Sequence, residues 1–484
     1  MNNVTSSKQI SVLWAITLTV GAMVGSAIFS LSGVTIAFAG SYSILSWALA
    51  ALINLAFAMV VAQLARRWPG EDGGIYVYPK RIIEKTFGAK KAAQKSAQKS
   101  ASLVGYIGMV VYAAGCFAGV IFSCSYFAKY LFYILPVQGD TGILVAVASI
   151  LVLLLCALLN ISGLKTSVRI NGVLVIFLAL LMVFLAFYFV NSGAFSFGNI
   201  SAKAGDSPFE SISISLPVAI LAYGAIVTPA FLSSSLKNPK KNVPVVMLVS
   251  MLVVAALYIL QMVILNGVLP SSYGSDASEL YTPYFSALGV VSSASGVQTI
   301  SIFVTVGSLL ALFTTALVLM RLLAVSLQRA ATEGSLPKPV AKSWAPYQGV
   351  CVVGAVILLL GDQAINLVQL GAILNVIYFG VICVCALLFK ELAPFWRVLA
   401  LSVLVVLLLC SVGSVLDGGI TQVIFSAVIL AAALIFYFLH QRFASKRLIE
   451  GKGDDAQNIS ATNTSVNGGT TQELLNDINH VESD

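Results

Sequence analysis

The chain has 484 residues, of which 59% are hydrophobic and only 10% are charged, with a formal net charge of +8. A soluble globular chain carries about 25% charged residues, so this composition excludes a water-soluble fold, a disordered chain and a nucleic-acid-binding module. It indicates an all-α integral membrane protein, because the long apolar runs lack the two-residue alternation of a membrane β-barrel.

Twelve apolar segments are predicted to be transmembrane helices, since about 20 apolar residues span a bilayer. They lie at residues 11–36, 42–65, 101–134, 141–160, 168–190, 211–235, 243–269, 298–328, 349–361, 364–389, 395–416 and 419–441. The ninth is short, and we expect it to begin nearer Ala345. The predicted organisation is an N-terminus at 1–10, a ten-helix core at 11–390, helices eleven and twelve at 391–449, and a polar, disordered tail at 450–484.

Lysine and arginine concentrate in every second connection between the predicted helices. By the positive-inside rule, this pattern places both termini in the cytoplasm and the protein in the cell membrane. The basic connection at 66–100 contains the low-complexity run AAQKSAQKSAS. We interpret this run as a solvated basic helix beside anionic lipid headgroups, with a regulatory docking site as the alternative.

The residue types that form catalytic and metal sites are sparse. The two histidines are His440, at the end of the last predicted helix, and His480, in the tail. Seven cysteines lie inside apolar runs and are interpreted as small buried hydrophobes: Cys116, Cys124, Cys156, Cys351, Cys383, Cys385 and Cys410. We therefore expect no enzymatic activity, no catalytic residues, no cofactor and no metal site.

Helix-breaking residues occur at equivalent places in the two halves of the predicted core. The first segment contains Gly21 and Gly25, and the sixth contains Pro217, Gly224 and Pro229. Interrupted helices at corresponding positions of two repeats indicate a transporter binding site. Freed amides at a half-helix N-terminus hold a carboxylate and freed carbonyls hold an ammonium group, the two groups of an α-amino acid. The alternative for the first segment is close helix packing through Gly21 and Gly25.

Five motifs resemble those of the amino acid–polyamine–organocation (APC) transporters, in particular antiporters of the basic amino acid/polyamine type. GAMVGSAIFS from Gly21 is similar to the first-helix signature G-x-x-x-G-S-G-I-F, and QLARRWPGEDGGIYVY from Gln63 is similar to the exit of helix two. KNPKKNVP from Lys237, NISGLKTSVRIN from Asn160 and EGSLP from Glu333 also match. The motifs stand in family order and cover about residues 8–390.

The resemblance implies a five-plus-five inverted repeat with broken helices 1 and 6, two additional C-terminal helices, and alternating access of an amino acid or related amine. The substrate-binding residues carried over by position are Val24, Gly25, Ser26, Ala27, Ile28, Tyr112, Tyr223, Gly224, Ala225 and Ile226. The gating candidates are Tyr106, Arg321 and Tyr378. Packing aromatics are the alternative for the tyrosines, and snorkelling to the inner interface is the alternative for Arg321.

Departures from the family pattern favour exchange over ion coupling. Val227 stands where many members have a glutamate, and Leu178 stands where proton-coupled relatives often carry a lysine. No Asp or Glu falls within a predicted span, and such residues are the usual proton relays. The alternatives are proton-coupled symport, sodium coupling through hydroxyls such as Ser308, Thr314 and Thr315, and a non-transporting amino-acid sensor. We expect a monomer or homodimer without a disulfide-linked heavy chain, because the loop Pro136–Gly142 has no cysteine.

Overall fold

The computed structural model describes residues 9–88, 91–135, 142–202, 207–274, 280, 282–291, 297–361, 364–414, 420–421 and 423–443. These residues are mainly helical, and the extended pairing among them is one isolated bridge between Ile10 and Leu236. The predicted all-α class is confirmed. Residues 1–430 form one compact unit, and the second unit, 431–484, is described over 431–443 as the end of a helix. The predicted tail at 450–484 lies outside the described residues.

The α-helices follow one another along the chain with short connections. Their bounds are Val12–Ser26 (α1), Ser32–Ala39 (α2), Tyr42–Arg67 (α3), Gly74–Phe87 (α4), Lys91–Ile134 (α5), Gly142–Ile161 (α6), Leu164–Asn191 (α7), Phe197–Ala202 (α8), Pro208–Tyr223 (α9), Thr228–Phe231 (α10), Pro239–Val268 (α11), Pro283–Val290 (α12), Val297–Thr332 (α13), Ala345–Leu359 (α14), Ala364–Leu388 (α15), Pro394–Ser414 (α16) and Val423–Phe443 (α17).

Within the described residues, ten helices or joined helix pairs are long and apolar enough to cross a membrane. Two shorter apolar helices, Ala345–Leu359 and Pro394–Leu409, coincide with the ninth and eleventh predicted segments. The ninth segment begins at Ala345, as expected. Each predicted segment therefore has a helical counterpart, while the count of twelve membrane crossings and the inverted-repeat relation stay predictions.

Large apolar side chains stand exposed on the outer helices. On α6, for example, Leu151, Leu155 and Leu158 are 61%, 47% and 65% exposed. A water-soluble protein buries such stripes, whereas a lipid-facing helix leaves them on its surface. The inner helices carry the buried core, in which α1 packs against α7, α11 and α13, and α5 packs against α13 and α15. The outer helices therefore present the apolar surface that a membrane-spanning protein needs, and the inner helices form the packed core.

The 66–100 connection is more ordered than its basic composition predicted. Helix α4 was not predicted, and it packs on α5 through a buried face that includes Ile75, Ile82 and Ile83. The AAQKSAQKSAS run belongs to the first part of α5, which begins at Lys91 and continues into the third predicted segment without a break. Alanine, glutamine and lysine are strong helix formers and extend the apolar helix into solvent. Residues 94–96 and 98–100 are exposed, in agreement with a solvated basic helix.

Candidate functional site

The first predicted break lies where sequence placed it. Gly25 leaves helical geometry, with φ −47° and ψ −108°, and a π-helical turn, Ala27–Leu31, connects α1 to α2. The hydroxyl of Tyr258 donates to the Met23 carbonyl, and the hydroxyl of Tyr130 donates to the Phe29 carbonyl at 3.0 Å. Tyrosines from α11 and α5 therefore satisfy backbone groups on both sides of the break, which stabilises it in a dry interior.

The second break separates α9 from α10. The 3₁₀ turn Gly224–Val227 replaces the α-helix, and the hydroxyl of Thr228 donates to the Ala225 carbonyl at 2.6 Å. Gly224 permits a close approach of α15, because a Cβ atom at this position would lie 2.8 Å from the Asn375 Oδ1 atom. Helical geometry ends at Phe231, four residues before the predicted end of the sixth segment, and a further 3₁₀ turn, Ser233–Ser235, follows.

The two breaks meet at one cavity of about 100 Å³, here called the central cavity. It is lined by residues of α1 and the π-helical turn after it, α5, α9 and the 3₁₀ turn after it, α13 and α15: Ala22, Met23, Ala27, Leu31, Val111, Tyr112, Gly115, Cys116, Ala118, Gly119, Phe122, Leu221, Ala222, Gly224, Ala225, Thr315, Leu319, Leu367, Val368, Gly371, Leu374, Asn375 and Tyr378. A cavity of this size has room for several water-sized groups.

Most of this lining is apolar, and its polar groups stand out for that reason. Asn375 is 9% exposed, and its Nδ2 atom has no hydrogen-bond partner among the described residues. The Tyr378 hydroxyl is likewise buried without a partner in the described part of the chain. Buried donors of this kind cost free energy unless a ligand or water accepts from them. They point to a small polar ligand at the α15 wall.

Five of the predicted site residues line the central cavity. The lining members are Ala27, Tyr112, Gly224, Ala225 and Tyr378. Val24, Gly25, Ile28, Tyr223 and Ile226 are buried outside the lining. The Tyr223 ring, for example, packs edge-on against Trp47 and Tyr258, with centroids 6.1 and 4.9 Å away. The side chain of Ser26 lies outside the described residues.

Two gating candidates lie away from the central cavity. Tyr106 is buried on α5, six residues before Tyr112. Arg321 donates from Nη1 to the Asn160 carbonyl at 3.1 Å and to the Tyr347 hydroxyl at 3.3 Å, which ties α13 to α6 and α14. The Arg321 side chain is therefore held between helices, outside the lining of the central cavity, and its role in gating stays a prediction.

Sequence reasoning missed Asn375, Cys116 and the cavity glycines Gly115 and Gly371. A helical-spacing signal was available, because Val368, Gly371, Asn375 and Tyr378 recur at three- and four-residue intervals on α15. Only the packing of α15 against α5 shows that this face meets the breaks. The spacing thus identified a face of α15, but it could not show that this face lies against the two helix breaks.

A layer of three aromatic rings closes one end of the central cavity. Tyr112 stacks on Phe231 at 4.4 Å and meets Tyr378 edge-on at 5.1 Å. We call Tyr112, Phe231 and Tyr378 the aromatic layer. Phe231 and Tyr378 also line a smaller pocket, whose other walls include Val61 of α3 and Ile75 at the start of α4. The aromatic layer therefore separates the central cavity from α4.

The end of the bundle that carries residues 68–88 and 333–344 is here called the basic face. At this face an ion network joins the loop before α4, α4 itself and the end of α13. Glu333 pairs with Lys80 and with Arg329, the latter at 2.8 Å. Glu71 accepts from Arg81 at 3.2 Å and pairs with Arg329 at 3.3 Å. Burial opposes the charge on Lys80, but its hydrogen bond to Glu333 and the surrounding negative charge together outweigh burial and raise the Lys80 pKa. The network holds α4 against the end of α13.

Asp72 extends the closure to the segment after α10. Its carboxylate accepts from the backbone N–H of Ser234 at 2.7 Å and from the Ser234 hydroxyl. Burial raises the pKa of the Asp72 carboxyl above its ordinary value, against the hydrogen bonds from Ser234, which lower it. The Gly73 amide donates to the Phe231 carbonyl at 3.2 Å, so the same loop also touches the aromatic layer.

Comparison with known proteins agrees with this geometry. The sequence model of the amino acid permease family matches residues 10–447. The serine/threonine exchanger SteT of Bacillus subtilis (strain 168) is 24% identical over 255 residues, which cover 52% of this chain and 53% of that protein. The branched-chain amino acid permease BcaP of the same strain is 23% identical over 461 residues, which cover 89% of this chain and 92% of BcaP.

A plant relative shows a similar sequence identity. The chloroplastic cationic amino acid transporter 9 of Arabidopsis thaliana is 25% identical over 319 residues, 63% of this chain and 51% of that protein. The chain thus spans about half the length of the exchanger and the plant transporter, and nearly the whole of BcaP. With the family match, the broken helices and the apolar spans together, the resemblance to APC transporters is confirmed: the chain is a multi-pass membrane protein of the amino acid permease family.

Proposed function

We propose that the protein carries amino acids across the cell membrane by alternating access, and that it exchanges one amino acid for another. The observation that carries the proposal is the convergence of two helix breaks, at Gly25 and at Gly224–Val227, on one cavity. A broken helix supplies backbone donors and acceptors without a charged side chain, which is what a zwitterion needs.

The closed basic face supports a transport cycle. The aromatic layer and the ion network both lie between the central cavity and that end of the bundle. In the proposed cycle this face is cytoplasmic, as the positive-inside rule predicts, and both termini lie on the same side. An amino acid would enter from the opposite face, and release would require the Lys80–Glu333 and Asp72–Ser234 contacts to separate.

The chemistry of the lining supports exchange. Among the cavity residues that the structure describes, none is Asp, Glu, Lys, Arg or His. A proton-coupled carrier usually places such a group beside its substrate. The competing candidate is sodium coupling, which one contact favours: Thr315 of α13 lies directly against Gly25, where a Cβ atom would overlap its hydroxyl and approach the Ala311 carbonyl. Hydroxyls facing a broken helix are suitable sodium ligands.

Purified protein in liposomes tests the proposal. Entry of a labelled amino acid is compared between vesicles with and without internal unlabelled amino acid, and with and without proton or sodium gradients. Exchange predicts entry only into preloaded vesicles. Entry into empty vesicles that is accelerated by one ion gradient would establish symport instead, and specific binding without entry would establish a sensor.

A matched pair of variants links the uptake to the central cavity. Ala225 lines the cavity and is half-buried, so Ala225→Leu would fill it and is expected to reduce exchange at least tenfold. Ala355, on α14, has the same half-buried exposure but lies outside the lining, so Ala355→Leu is the control. Equal exchange by both variants would contradict the assignment of the cavity as the binding site.

A further inference from the structure

Two glycines of the central cavity keep space open that the protein itself does not fill. A Cβ atom at Gly115 would come no nearer than 3.8 Å to Leu374, and one at Gly371 would stay 3.9 Å from Ala118 and Leu221. These are ordinary van der Waals distances. At Gly25 and Gly224, by contrast, a Cβ atom would clash with Thr315 or Asn375, so those glycines permit helix packing. Gly115 and Gly371 instead enlarge the cavity.

The walls around this open space are apolar. Phe122 and Leu319 stand on one side, and Leu367 and Val368 stand on the α15 side. Among the described lining residues, none carries a formal charge at neutral pH. A charged side chain placed here would lose its hydration without gaining an opposite charge. An aliphatic side chain gains free energy when it leaves water for this space.

Two polar groups without a partner among the described residues stand on the α15 wall of the cavity. Asn375 contacts the Gly224 break, and the unpaired Nδ2 atom of Asn375 and hydroxyl of Tyr378 are three residues apart on α15. The backbone groups of an amino acid therefore have polar partners at the break and on α15, while the rest of the lining offers apolar contacts to its side chain. This combination fits a neutral amino acid.

We propose that the substrate is a neutral amino acid with an aliphatic side chain, and that the absence of side chains at Gly115 and Gly371 sets the largest substrate accepted. The proposal rests on the transport function proposed above and deepens it. It distinguishes this chain from carriers of cationic or acidic amino acids by the chemistry of its cavity. It also assigns the size limit to two positions that no motif of the sequence marks.

Equilibrium binding to the purified full-length protein in detergent tests the selectivity separately from transport. Labelled leucine is the probe, and alanine, valine, lysine and glutamate are competitors. The variants are Gly115→Ala and Gly371→Ala, because alanine stabilises a helix relative to glycine and each added methyl group has room. Gly349→Ala is the control, since its Cβ would have no neighbour within 4 Å and Gly349 lies outside the lining.

The wild-type protein is expected to bind leucine and valine. Lysine and glutamate are expected to displace the labelled leucine only weakly. One methylene of lost space is worth about 10- to 200-fold in discrimination. Each cavity variant should therefore weaken leucine binding at least about tenfold and change alanine binding by less than about threefold. The control variant Gly349→Ala should bind both amino acids like the wild type.

Displacement of leucine by lysine or glutamate at alanine-like concentrations would overturn the substrate class. Equal weakening of leucine and alanine in both variants would overturn the size limit. If leucine binds with the expected selectivity but never enters liposomes, the transport function fails and the selectivity stands. If no competitor in the panel and no labelled amino acid binds, both proposals fail.

Discussion

The ion pair between Lys80 and Glu333 is predicted to hold the basic face closed, and a double-mutant cycle can measure its contribution. Its two side chains are only 9% and 16% exposed. Removing one member of a buried pair leaves the other charge without compensation, whereas removing both avoids that cost. Glu333→Gln and Lys80→Met keep the side-chain size while removing the charge, so the cycle isolates the electrostatic contribution.

The structure sets an order for the three variants. Glu333→Gln leaves both Lys80 and Arg329 without this carboxylate and should destabilise the closed state by about 3 kcal/mol, a factor of about 150. Lys80→Met should cost about 1.5 kcal/mol, because Glu333 still pairs with Arg329 at 2.8 Å. The double variant should cost about as much as Lys80→Met alone, since Arg329 retains Glu71.

The readout is the rate at which a thiol reagent reaches the smaller pocket behind α4. Val61 lines that pocket, is 3% exposed and lies on α3, so Val61→Cys places a reporter of similar size there. When opening is rare, its labelling rate is proportional to the population of the open basic face. The parent protein without this cysteine corrects for the native thiols. Rates whose logarithms simply add across the cycle, with a coupling below about 0.5 kcal/mol, would refute the closing role of the pair.

Three further changes test other parts of the site. Tyr258→Phe removes the donor to the Met23 carbonyl and should lower stability by about 1–2 kcal/mol, measured by thermal unfolding against wild type; an unchanged midpoint would contradict support of the break. Because burial raises the Asp72 pKa, protonation favours the folded form, so stability should increase as pH falls toward 3.8, the ordinary value for this carboxyl. Asp72→Asn should flatten that pH dependence, and a persistent slope would assign it to other groups. Asn375→Leu removes the amide on the α15 wall and should weaken leucine binding at least about tenfold, measured by displacement. Binding at the wild-type level would contradict recognition by α15.

Apolar length predicted the membrane helices well, and amphipathic helices poorly. The long runs were identified because a bilayer requires every backbone group to be satisfied within a helix. Helix α4 was missed because only one of its faces is apolar, it contains Pro79, and it lies within a strongly basic connection. Its buried Ile75, Ile82 and Ile83 become meaningful only against α5, which is a tertiary contact.

The site was predicted in part for a similar reason. Glycine and proline marked the breaks, because those residues change backbone geometry locally, and Ala27, Gly224 and Ala225 do line the cavity. Val24 and Ile28 were assigned by position along the same segment; their side chains are buried outside the lining, and their part in binding stays a prediction. A motif gives the location of a break, whereas the direction of each side chain depends on which neighbours enclose it.

The charges of the basic face show why one sequence pattern can carry two physical meanings. Lys80 and Arg329 contributed to the positive-inside prediction, which counts cations and disregards acids. In the structure they are paired with Glu333 and Glu71. The attraction within such a pair exceeds the cost of lost hydration only when the contact is well formed. A cation that fixes the orientation needs only to remain outside the bilayer. A cation that closes a gate must also lose its partner during each cycle. The orientation in the membrane should therefore be unchanged in Lys80→Met, while the labelling rate of the cysteine at position 61 should increase.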